Sequence, residues 1–215
     1  MNTLHVETIV CGAYQANCWL VWREDRDDCL LIDCGDDPMR CLEAVRKSGR
    51  TLTDIALTHG HFDHVIGAYH VKSLTGARIA IHSKDAPMLA DADRALCTEQ
   101  FGKDHFVPCR PDVLLDELPG GVYAPCGIPF RVLHTPGHTP GGVCLYLPEQ
   151  NLLFSGDTIF SFGFGRTDFE GGSIEELTAS LRTLFALPGE TVILPGHGEN
   201  GAMQTYHARM RRSER

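Results

Sequence analysis

Short runs of apolar and β-branched residues, each broken by turn residues, dominate the first part of the chain. Such runs predict β-strands at residues 4–11, 17–22, 29–33, 54–58 and 78–82. Helical spacing of apolar residues predicts helices at residues 39–48, 65–74 and 86–96. Pro38 opens the first of these helices, and Gly76 closes the second as a C-cap.

The second half of the chain repeats this organisation. Strands are predicted at residues 129–134, 142–147, 151–155 and 191–194. The clearest helix covers residues 173–187, because Ser173 and Glu176 form a capping-box pattern before an apolar face. A last helix begins at Ala202. Two similar halves of strands and helices predict an α/β fold, in which two sheets pack together with helices outside.

The composition is that of an ordinary globular domain. The chain has 215 residues, of which 43% are hydrophobic and 22% are charged, and a chain of this size can bury a continuous core. We find no linker and no short-period repeat, so we expect a single domain over residues 1–215. The sequence contains neither an apolar run of about 18 residues, which a membrane span needs, nor a basic leader followed by an apolar segment. We therefore expect neither a membrane protein nor a secreted one.

The charge balance argues against nucleic acid as a partner. Nineteen Lys and Arg face 28 Asp and Glu, which gives a net charge of −9. The basic cluster of the sequence lies in its tail, at Arg209, Arg211, Arg212 and Arg215. A solvated helix end explains that cluster better than a nucleic-acid-binding face does.

Nine cysteines are present, and their number and spacing do not suggest a disulfide framework. Nine is odd, no two are spaced as CxxC, and several lie inside apolar runs, as Cys29 does. We interpret them as reduced thiols that behave as small hydrophobic residues in a cytoplasmic protein. No pattern singles out a catalytic cysteine.

The strongest chemical signal is the segment Thr58-His59-Gly60-His61-Phe62-Asp63-His64, which follows a predicted strand. Imidazole and carboxylate are the usual ligands of zinc and similar divalent metals. A turn can aim His59 and His61 at one ion, and we expect Gly60 to permit the tight backbone that this requires. Asp63 and His64, at the start of the next helix, can point at a second ion.

Three more predicted strands end in a Gly-containing turn that carries one potential ligand. The turns are Pro136-Gly137-His138, Ser155-Gly156-Asp157 and Pro195-Gly196-His197. If the strands share a direction, all four loops open on one rim. That rim would hold five histidines and two aspartates, which are enough ligands for two metal ions.

This order of motifs resembles the metallo-β-lactamase fold superfamily, over essentially the whole chain. The resemblance implies an αββα sandwich of two mixed sheets. It also implies that His59, His61 and His138 hold one metal ion and that Asp63, His64 and His197 hold a second. Asp157 would bridge both ions.

Further segments are similar to the glyoxalase II-like branch, which comprises hydroxyacylglutathione hydrolases and their short bacterial relatives. These segments are residues 135–142, 155–160, 165–169 and 171–173. Full-length members of that branch carry a C-terminal helical domain that supplies much of the glutathione site. The present sequence ends 18 residues after His197, so we expect weaker binding of the glutathione moiety.

Several residues near these motifs have two interpretations each. Asp33 is either a turn residue or an acceptor for the N–H of a ligating imidazole, and the fold resemblance favours the acceptor. Arg166 either pairs with Asp168 to hold its loop or binds the substrate. His134 is interpreted as a core residue or as one that supports a ligand from behind. Phe160, Phe162, Phe164 and Phe169 could line an apolar pocket, although core packing is the more usual role of such residues.

These observations predict an enzyme that hydrolyses a small-molecule thioester, with a hydroxide bridging two divalent metals as the nucleophile. The predicted catalytic residues are Asp63, Asp157 and Arg166. Zinc is the favoured metal, and iron and manganese tolerate the same ligands. Two divalent ions, two aspartates and one hydroxide sum to +1, so we expect a rim that attracts acidic substrates.

Rival functions remain open at this point. A mononuclear iron persulfide dioxygenase uses a similar scaffold but fewer ligands, so the complete second ligand set favours the hydrolase. A lactam or phosphodiester hydrolase and a structural metal protein are weaker candidates. The sequence does not specify the thiol carrier or the oligomeric state.

Overall fold

The computed structural model describes residues 3–213, and their side chains as far as residue 208. It contains twelve strands in two six-stranded sheets. The first sheet has the order β1 (Leu4–Cys11), β2 (Ala16–Arg23), β3 (Asp28–Ile32), β4 (Thr51–Ala56), β5 (Arg78–Ile81), β6 (Val113–Leu114). The second sheet has the order β12 (Gly201–Ala202), β11 (Val192–Pro195), β10 (Leu152–Gly156), β9 (Val143–Leu147), β8 (Phe130–His134), β7 (Val122–Tyr123).

Six α-helices cover the outer faces and the connections. They are α1 (Pro38–Ser48), α2 (Phe62–Val65), α3 (Ala68–Thr75), α4 (Cys97–Phe101), α5 (Ile174–Leu184) and α6 (Met203–Ser213). Short 3₁₀ helices lie at Ala86–Ala90, Lys103–His105, Leu115–Glu117, Pro119–Gly121 and Pro125–Gly127. None of the helices between residues 3 and 213 has the length and apolar composition that crossing a membrane requires.

Alternation along β2 shows how the sequence builds the layers. Trp19 and Val21 pack between the two sheets, against Phe154 among others. Cys18 and Leu20 point to the opposite face and pack under α1 and α3. A third apolar cluster lies between the second sheet and α5 with α6. Because successive strand residues face opposite sides, one strand supplies both an inner and an outer core. The predicted αββα sandwich is confirmed.

Strand direction brings the predicted loops to one rim. In the second sheet β10 and β11 are parallel, and β8 runs the same way because both β8 and β10 pair antiparallel with β9. The turns after β8, β10 and β11 therefore open at the same end of that sheet. The turn after β4 joins them, since Val143 N donates a hydrogen bond to Thr58 O across the two sheets at 2.8 Å.

Several sequence predictions need correction. The predicted helix at residues 86–96 is wrong beyond the 3₁₀ turn Ala86–Ala90. Asp91 is extended there and its carboxylate accepts from the backbone N–H of Asp93 and Arg94, which favours a turn over a continued helix. The predicted helix at residues 65–74 corresponds to α3 but begins three residues later, at Ala68, and Val65 instead ends the separate short helix α2.

The capping box of α5 is only half formed. Ser173 Oγ accepts from Glu176 N at 3.2 Å, as predicted. The backbone N–H of Ser173, which the reciprocal half of the box would occupy, instead donates to Gly137 O. The start of α5 is thereby tied to the turn that carries His138. The basic cluster at the end of α6 lies outside the described side chains.

Candidate metal centre

The first group of ligating atoms comes from His59, His61 and His138, whose side chains are all buried. His61 Nδ1 and His138 Nε2 are 2.9 Å apart. His59 Nε2 is buried and has no hydrogen-bond partner among the described residues. An unpaired nitrogen of this kind is costly in a protein interior unless a ligand satisfies it.

The second group comes from Asp63, His64 and His197. His197 Nε2 lies 3.2 Å from Asp63 Oδ2 and 3.2 Å from His64 Nε2. Asp63 and His64 lie in the first turn of α2, and His197 follows β11. Helix and loop thus bring two nitrogens and one carboxylate oxygen to a common point.

Asp157 lies between these two groups. Its Oδ2 is 3.6 Å from His138 Nε2 and 3.5 Å from His197 Nε2, and its Oδ1 is 3.5 Å from His64 Nε2. Oδ1 is buried without a hydrogen bond in the described structure. The structure therefore brings together all seven side chains that the sequence singled out, in the arrangement that the resemblance implied.

Backbone and carboxylate acceptors hold the imidazoles from behind. His138 Nδ1 is 2.7 Å from Arg166 O, and His197 Nδ1 is 3.1 Å from Tyr14 O. His64 Nδ1 is 2.9 Å from Asp33 Oδ2. Each contact directs the N–H on Nδ1 to its acceptor and turns Nε2 towards the cluster, where a bound metal ion would take its lone pair. The predicted role of Asp33 as an acceptor behind a ligand is confirmed.

Asp85, which no sequence motif pointed to, joins two of the ligand-bearing loops. Its carboxylate accepts from Gly60 N at 3.0 Å, from Thr139 Oγ1 at 2.7 Å and from Gly141 N at 2.6 Å. The side chain is fully buried, and burial raises its pKa. Asp85 directly precedes the 3₁₀ helix Ala86–Ala90. An aspartate in that position looks like an ordinary helix cap, so the local sequence gives no sign of its role in joining the loops.

Gly60 is required for a different reason from the one predicted. Its φ is not positive, so the turn does not need left-handed backbone here. A Cβ at this position would lie 2.4 Å from Met88 Sδ. Gly196 is the clearer case of close approach, because a Cβ there would lie 2.2 Å from Asp157 Oδ1. Glycine at 196 thus lets the loop of His197 close over the bridging carboxylate.

Local electrostatics differ between the two groups. Burial lowers the pKa of His61 to about 3, and it lowers the pKa of His59 as well. Burial acts the same way on His64, but the carboxylates of Asp63, Asp157 and Asp33 outweigh it and raise the pKa of His64 to about 10. Burial thus favours the neutral form of His59 and His61, whereas the second group contains compensating negative charge.

A cleft of about 1250 Å³ opens over this cluster. Its walls include the ligands His61, Asp63, His138, Asp157 and His197. Phe160 and Phe169 line it, while Phe162 and Phe164 are exposed, so the core interpretation of these four aromatic residues is wrong. The cluster of candidate metal ligands is therefore accessible to a small molecule from one side.

Arg166 lies on the wall of the cleft and pairs with Asp168, as one of its two interpretations predicted. Two hydrogen bonds of 2.6 and 2.5 Å join the guanidinium to the carboxylate, and both side chains are largely exposed. The guanidinium also stacks on Phe169, at 4.2 Å from the ring centroid. Asp93, Glu99 and Glu170 add further negative charge to the lining. The side chains that line this rim are thus mainly acidic. The expected charge of +1 counts two bound ions and stays a prediction.

His134 is an exposed residue, so the core interpretation is wrong. Its ring stacks on His82 with centroids 4.1 Å apart, and its Nε2 is 3.0 Å from Pro140 O. It touches the loop of His138 without touching the ligand itself.

The donor atoms fit divalent metal ions. Ligand nitrogens bound tetrahedrally at about 2.1 Å lie about 3.4 Å apart, close to the 2.9 and 3.2 Å separations between the ring nitrogens here. Unpaired His59 Nε2 and Asp157 Oδ1 supply donors that nothing else in the described structure uses. The two groups of donor atoms, which lie on either side of the Asp157 carboxylate, can therefore hold two ions.

A family model described as "Metallo-beta-lactamase superfamily" matches residues 11–197, a span that includes every ligand of the cluster. The chain belongs to the metallo-beta-lactamase superfamily.

Among its relatives in this superfamily is the hydroxyacylglutathione hydrolase GloC of Haemophilus influenzae. The two are 34% identical over 197 residues, which are 91% of each protein. A hydroxyacylglutathione hydrolase of Ectopseudomonas mendocina is 35% identical over 181 residues, 83% of this chain and 60% of that protein.

Solved structures of the metallo-beta-lactamase superfamily agree with the fold described above. The BLEG-1 B3 metallo-beta-lactamase superposes with a TM-score of 0.88 at 28% identity, over 95% of this chain and 97% of that one. TTHA1623 in a di-iron-bound form gives 0.79 at 33% identity, over 94% and 97%. The superfamily fold binds divalent metals, and the neighbour TTHA1623 is described with two bound irons.

Proposed function

We propose that this protein is a metal-dependent hydrolase that cleaves thioesters, of the hydroxyacylglutathione hydrolase type. The observation that carries the proposal is the placement of the Asp157 carboxylate between two ligand groups on the wall of an open cleft. Structural zinc sites are usually closed and rich in cysteine, whereas this cluster faces a cleft. The names of the GloC and Ectopseudomonas relatives support the same substrate class.

In this proposal His59, His61 and His138 hold one divalent ion, Asp63, His64 and His197 hold the other, and Asp157 contacts both. When bound, such a pair of ions activates water at neutral pH and polarises a carbonyl oxygen. Zinc fits the imidazole and carboxylate donors, and iron is an alternative because TTHA1623 is described in a di-iron-bound form.

Other residues of the chain orient the candidate metal ligands and shape the cleft. Asp33, Arg166 O and Tyr14 O fix the imidazole tautomers, so the donor atoms are in place before the substrate arrives. Phe160 and Phe169 give the cleft an apolar wall that can exclude water from the acyl group. A thiolate leaving group has a pKa of about 8.5, so its departure needs little help from a general acid.

Arg166 is proposed to bind an anionic part of the substrate, with its charge reduced by Asp168. The thioester is proposed to be a small molecule whose binding relies mainly on the metal ions and the apolar wall. Nine unpaired cysteines are consistent with a cytoplasmic enzyme, and the net charge of −9 does not suit nucleic acid.

Two other activities of this scaffold are less well supported. An iron persulfide dioxygenase needs open coordination positions, and here the second group is complete. The likeness to BLEG-1 is the observation that supports a lactam hydrolase. A β-lactam is therefore tested in the same assay, alongside a phosphodiester.

The test is metal analysis combined with substrate profiling. Protein purified without chelator is assayed for thiol release from glutathione thioesters and from thioesters of uncharged thiols, alongside a β-lactam and a phosphodiester. We expect close to two metal ions per chain and metal-dependent thiol release, which chelation abolishes and zinc restores. Turnover of the lactam or phosphodiester without thioester cleavage would contradict the proposal.

A further inference from the structure

Four cysteines that are far apart in the sequence meet on the outer side of the first sheet. Cys11 ends β1, Cys18 lies in β2, Cys34 follows β3 and Cys41 lies in α1. Their exposed fractions are 1% or less. This cluster, which we call the thiol cluster, contains none of the ligands of the candidate metal centre.

The sulfur atoms have the spacing of metal-bound thiolates. Cys11 Sγ and Cys41 Sγ are 3.6 Å apart, and the Sγ atoms of Cys11, Cys18 and Cys41 all lie within 4.8 Å of one another. Sulfurs bound tetrahedrally at about 2.3 Å from zinc are about 3.8 Å apart. The three sulfurs are therefore close enough to share one ion.

A backbone donor already points at one sulfur of this cluster. The N–H of Gly35 donates to Cys18 Sγ at 3.2 Å. A buried thiolate is costly without a positive partner, and the metal-binding form of cysteine is the thiolate.

We propose that Cys11, Cys18 and Cys41 bind a thiophilic divalent ion, zinc in the cell, at a site separate from the catalytic one. All-sulfur donors select soft ions, whereas the imidazole and carboxylate donors of the cleft do not. Zinc and three thiolates carry a net charge of −1, so the neighbouring Cys34 thiol stays protonated. The three sulfurs come from two strands and one helix, and the ion cross-links them.

The thiol cluster lies directly behind segments that hold the catalytic loops. Asn17, next to Cys18, donates from Nδ2 to Pro195 O and Gly198 O on either side of His197. The backbone N–H of Cys34 donates to His64 O at 2.7 Å. An ion in the cluster would therefore fix the backbone on which His64 and His197 depend.

Cadmium is the probe for this site. Cd²⁺ bound by thiolates gives an ultraviolet charge-transfer band, whereas imidazole and carboxylate ligands do not. The full chain, stripped of metal under reducing conditions and refolded with excess Cd²⁺, is expected to show this band with one thiolate-bound ion per chain. The band is expected to survive His59→Ala, which impairs the catalytic centre, so the result is independent of the proposed hydrolase activity.

Matched variants locate the site. Cys41→Ser and Cys18→Ala should abolish the band, while Cys29→Ala, which removes a fully buried cysteine elsewhere in the first sheet, should leave it unchanged. A folded wild-type chain without the band, or a band that survives Cys41→Ser, would overturn the proposal. So would a disulfide between Cys11 and Cys41 in the purified protein, detected as a mass lower by two hydrogen atoms.

Cadmium NMR of the wild-type chain gives a second test that does not depend on how the variants fold. A resonance in the range of thiolate ligation supports the site. Resonances only in the range of nitrogen and oxygen ligation would reject it.

Discussion

Asp33 Oδ2 lies 2.9 Å from His64 Nδ1, and neither side chain is more than 1% exposed. The same carboxylate accepts from Thr58 N at 2.7 Å and from Thr58 Oγ1 at 2.8 Å. One side chain thus ties the end of β4 to a ligand on α2. A carboxylate can accept all three hydrogen bonds because it has two acceptor oxygens, whereas an amide has one.

Asp33→Asn is expected to impair the second metal site without unfolding the protein. Asn tolerates the positive φ of 60° at this position, so the backbone is not strained. The amide puts an NH₂ group in place of one oxygen, so it cannot accept from Thr58 N on one side and from Thr58 Oγ1 and His64 Nδ1 on the other. Loss of such a support costs about 10–100-fold in metal affinity or activity. Metal titration and kcat/KM measure this loss.

Asp54→Asn provides the control for that experiment. Asp54 is another buried carboxylate of the first sheet, bonded to Arg78 and Tyr123 and not to any ligand. Its replacement should lower stability and leave metal affinity unchanged. Equal losses of metal affinity in both variants would show that Asp33 acts only through general stability.

Asp157→Ala is expected to lose both metal ions and all measurable turnover. Its carboxylate contacts His138 of one ligand group and His64 and His197 of the other. Removing it therefore withdraws a donor from two sites at once. Metal content per chain and thiol release are the measurements. Full occupancy with normal turnover would defeat the bridging assignment.

Asp63→Ala should chiefly deplete the second site. Asp63 Oδ2 contacts His197 and His64 but lies in the second group alone. Metal content should fall towards one ion per chain, with turnover lower by orders of magnitude. The exposed cleft residue Asp168 is the control, since Asp168→Ala should keep both ions. Unchanged hydrolysis in Asp63→Ala would favour a mononuclear mechanism.

Asp85→Ala is expected to destabilise the fold around the candidate metal centre. It leaves the donors of Gly60, Thr139 and Gly141 buried without an acceptor. At about 1–3 kcal/mol for each of the three unsatisfied buried groups, the free energy of unfolding should fall by at least about 3 kcal/mol. Urea unfolding of the metal-free protein measures this change. A loss below about 1 kcal/mol would mean that water replaces the carboxylate.

Arg166→Ala should reduce kcat/KM for anionic thioesters by about tenfold, the equivalent of about 1.4 kcal/mol, and change it little for neutral ones. Asp168→Asn should act in the opposite direction, because it frees the guanidinium from its pair. Both effects should be largest at low salt, where exposed charges are least screened. An equal loss for charged and neutral substrates would show that Arg166 holds its loop.

Much of the centre could be predicted because its signals are local. His59, His61, Asp63 and His64 fall within six residues, and the turn after β4 is enough to group them. His138, Asp157 and His197 each follow a strand, and the α/β pattern already implied a common rim. The resemblance of these motifs to a known superfamily then supplied their grouping around two ions.

Other features depended on packing and left no local trace. The three bonds of Asp85 reach residues 25 to 56 positions away, and the thiol cluster joins cysteines spread over residues 11–41. The short edge strands β6, β7 and β12 and the break after Ala90 were likewise not predicted.

The sequence by itself determined the alternation of strands, the layer order and the side chains that gather in the candidate metal centre, because side-chain direction along a strand and through a tight turn is fixed by short-range geometry. The tertiary structure decided which distant groups meet: Asp33 behind His64, Asp85 between two loops, Arg166 neutralised by Asp168. These contacts follow from how two twisted sheets pack against each other, and side chains separated by tens of residues carry no periodic signal of that packing.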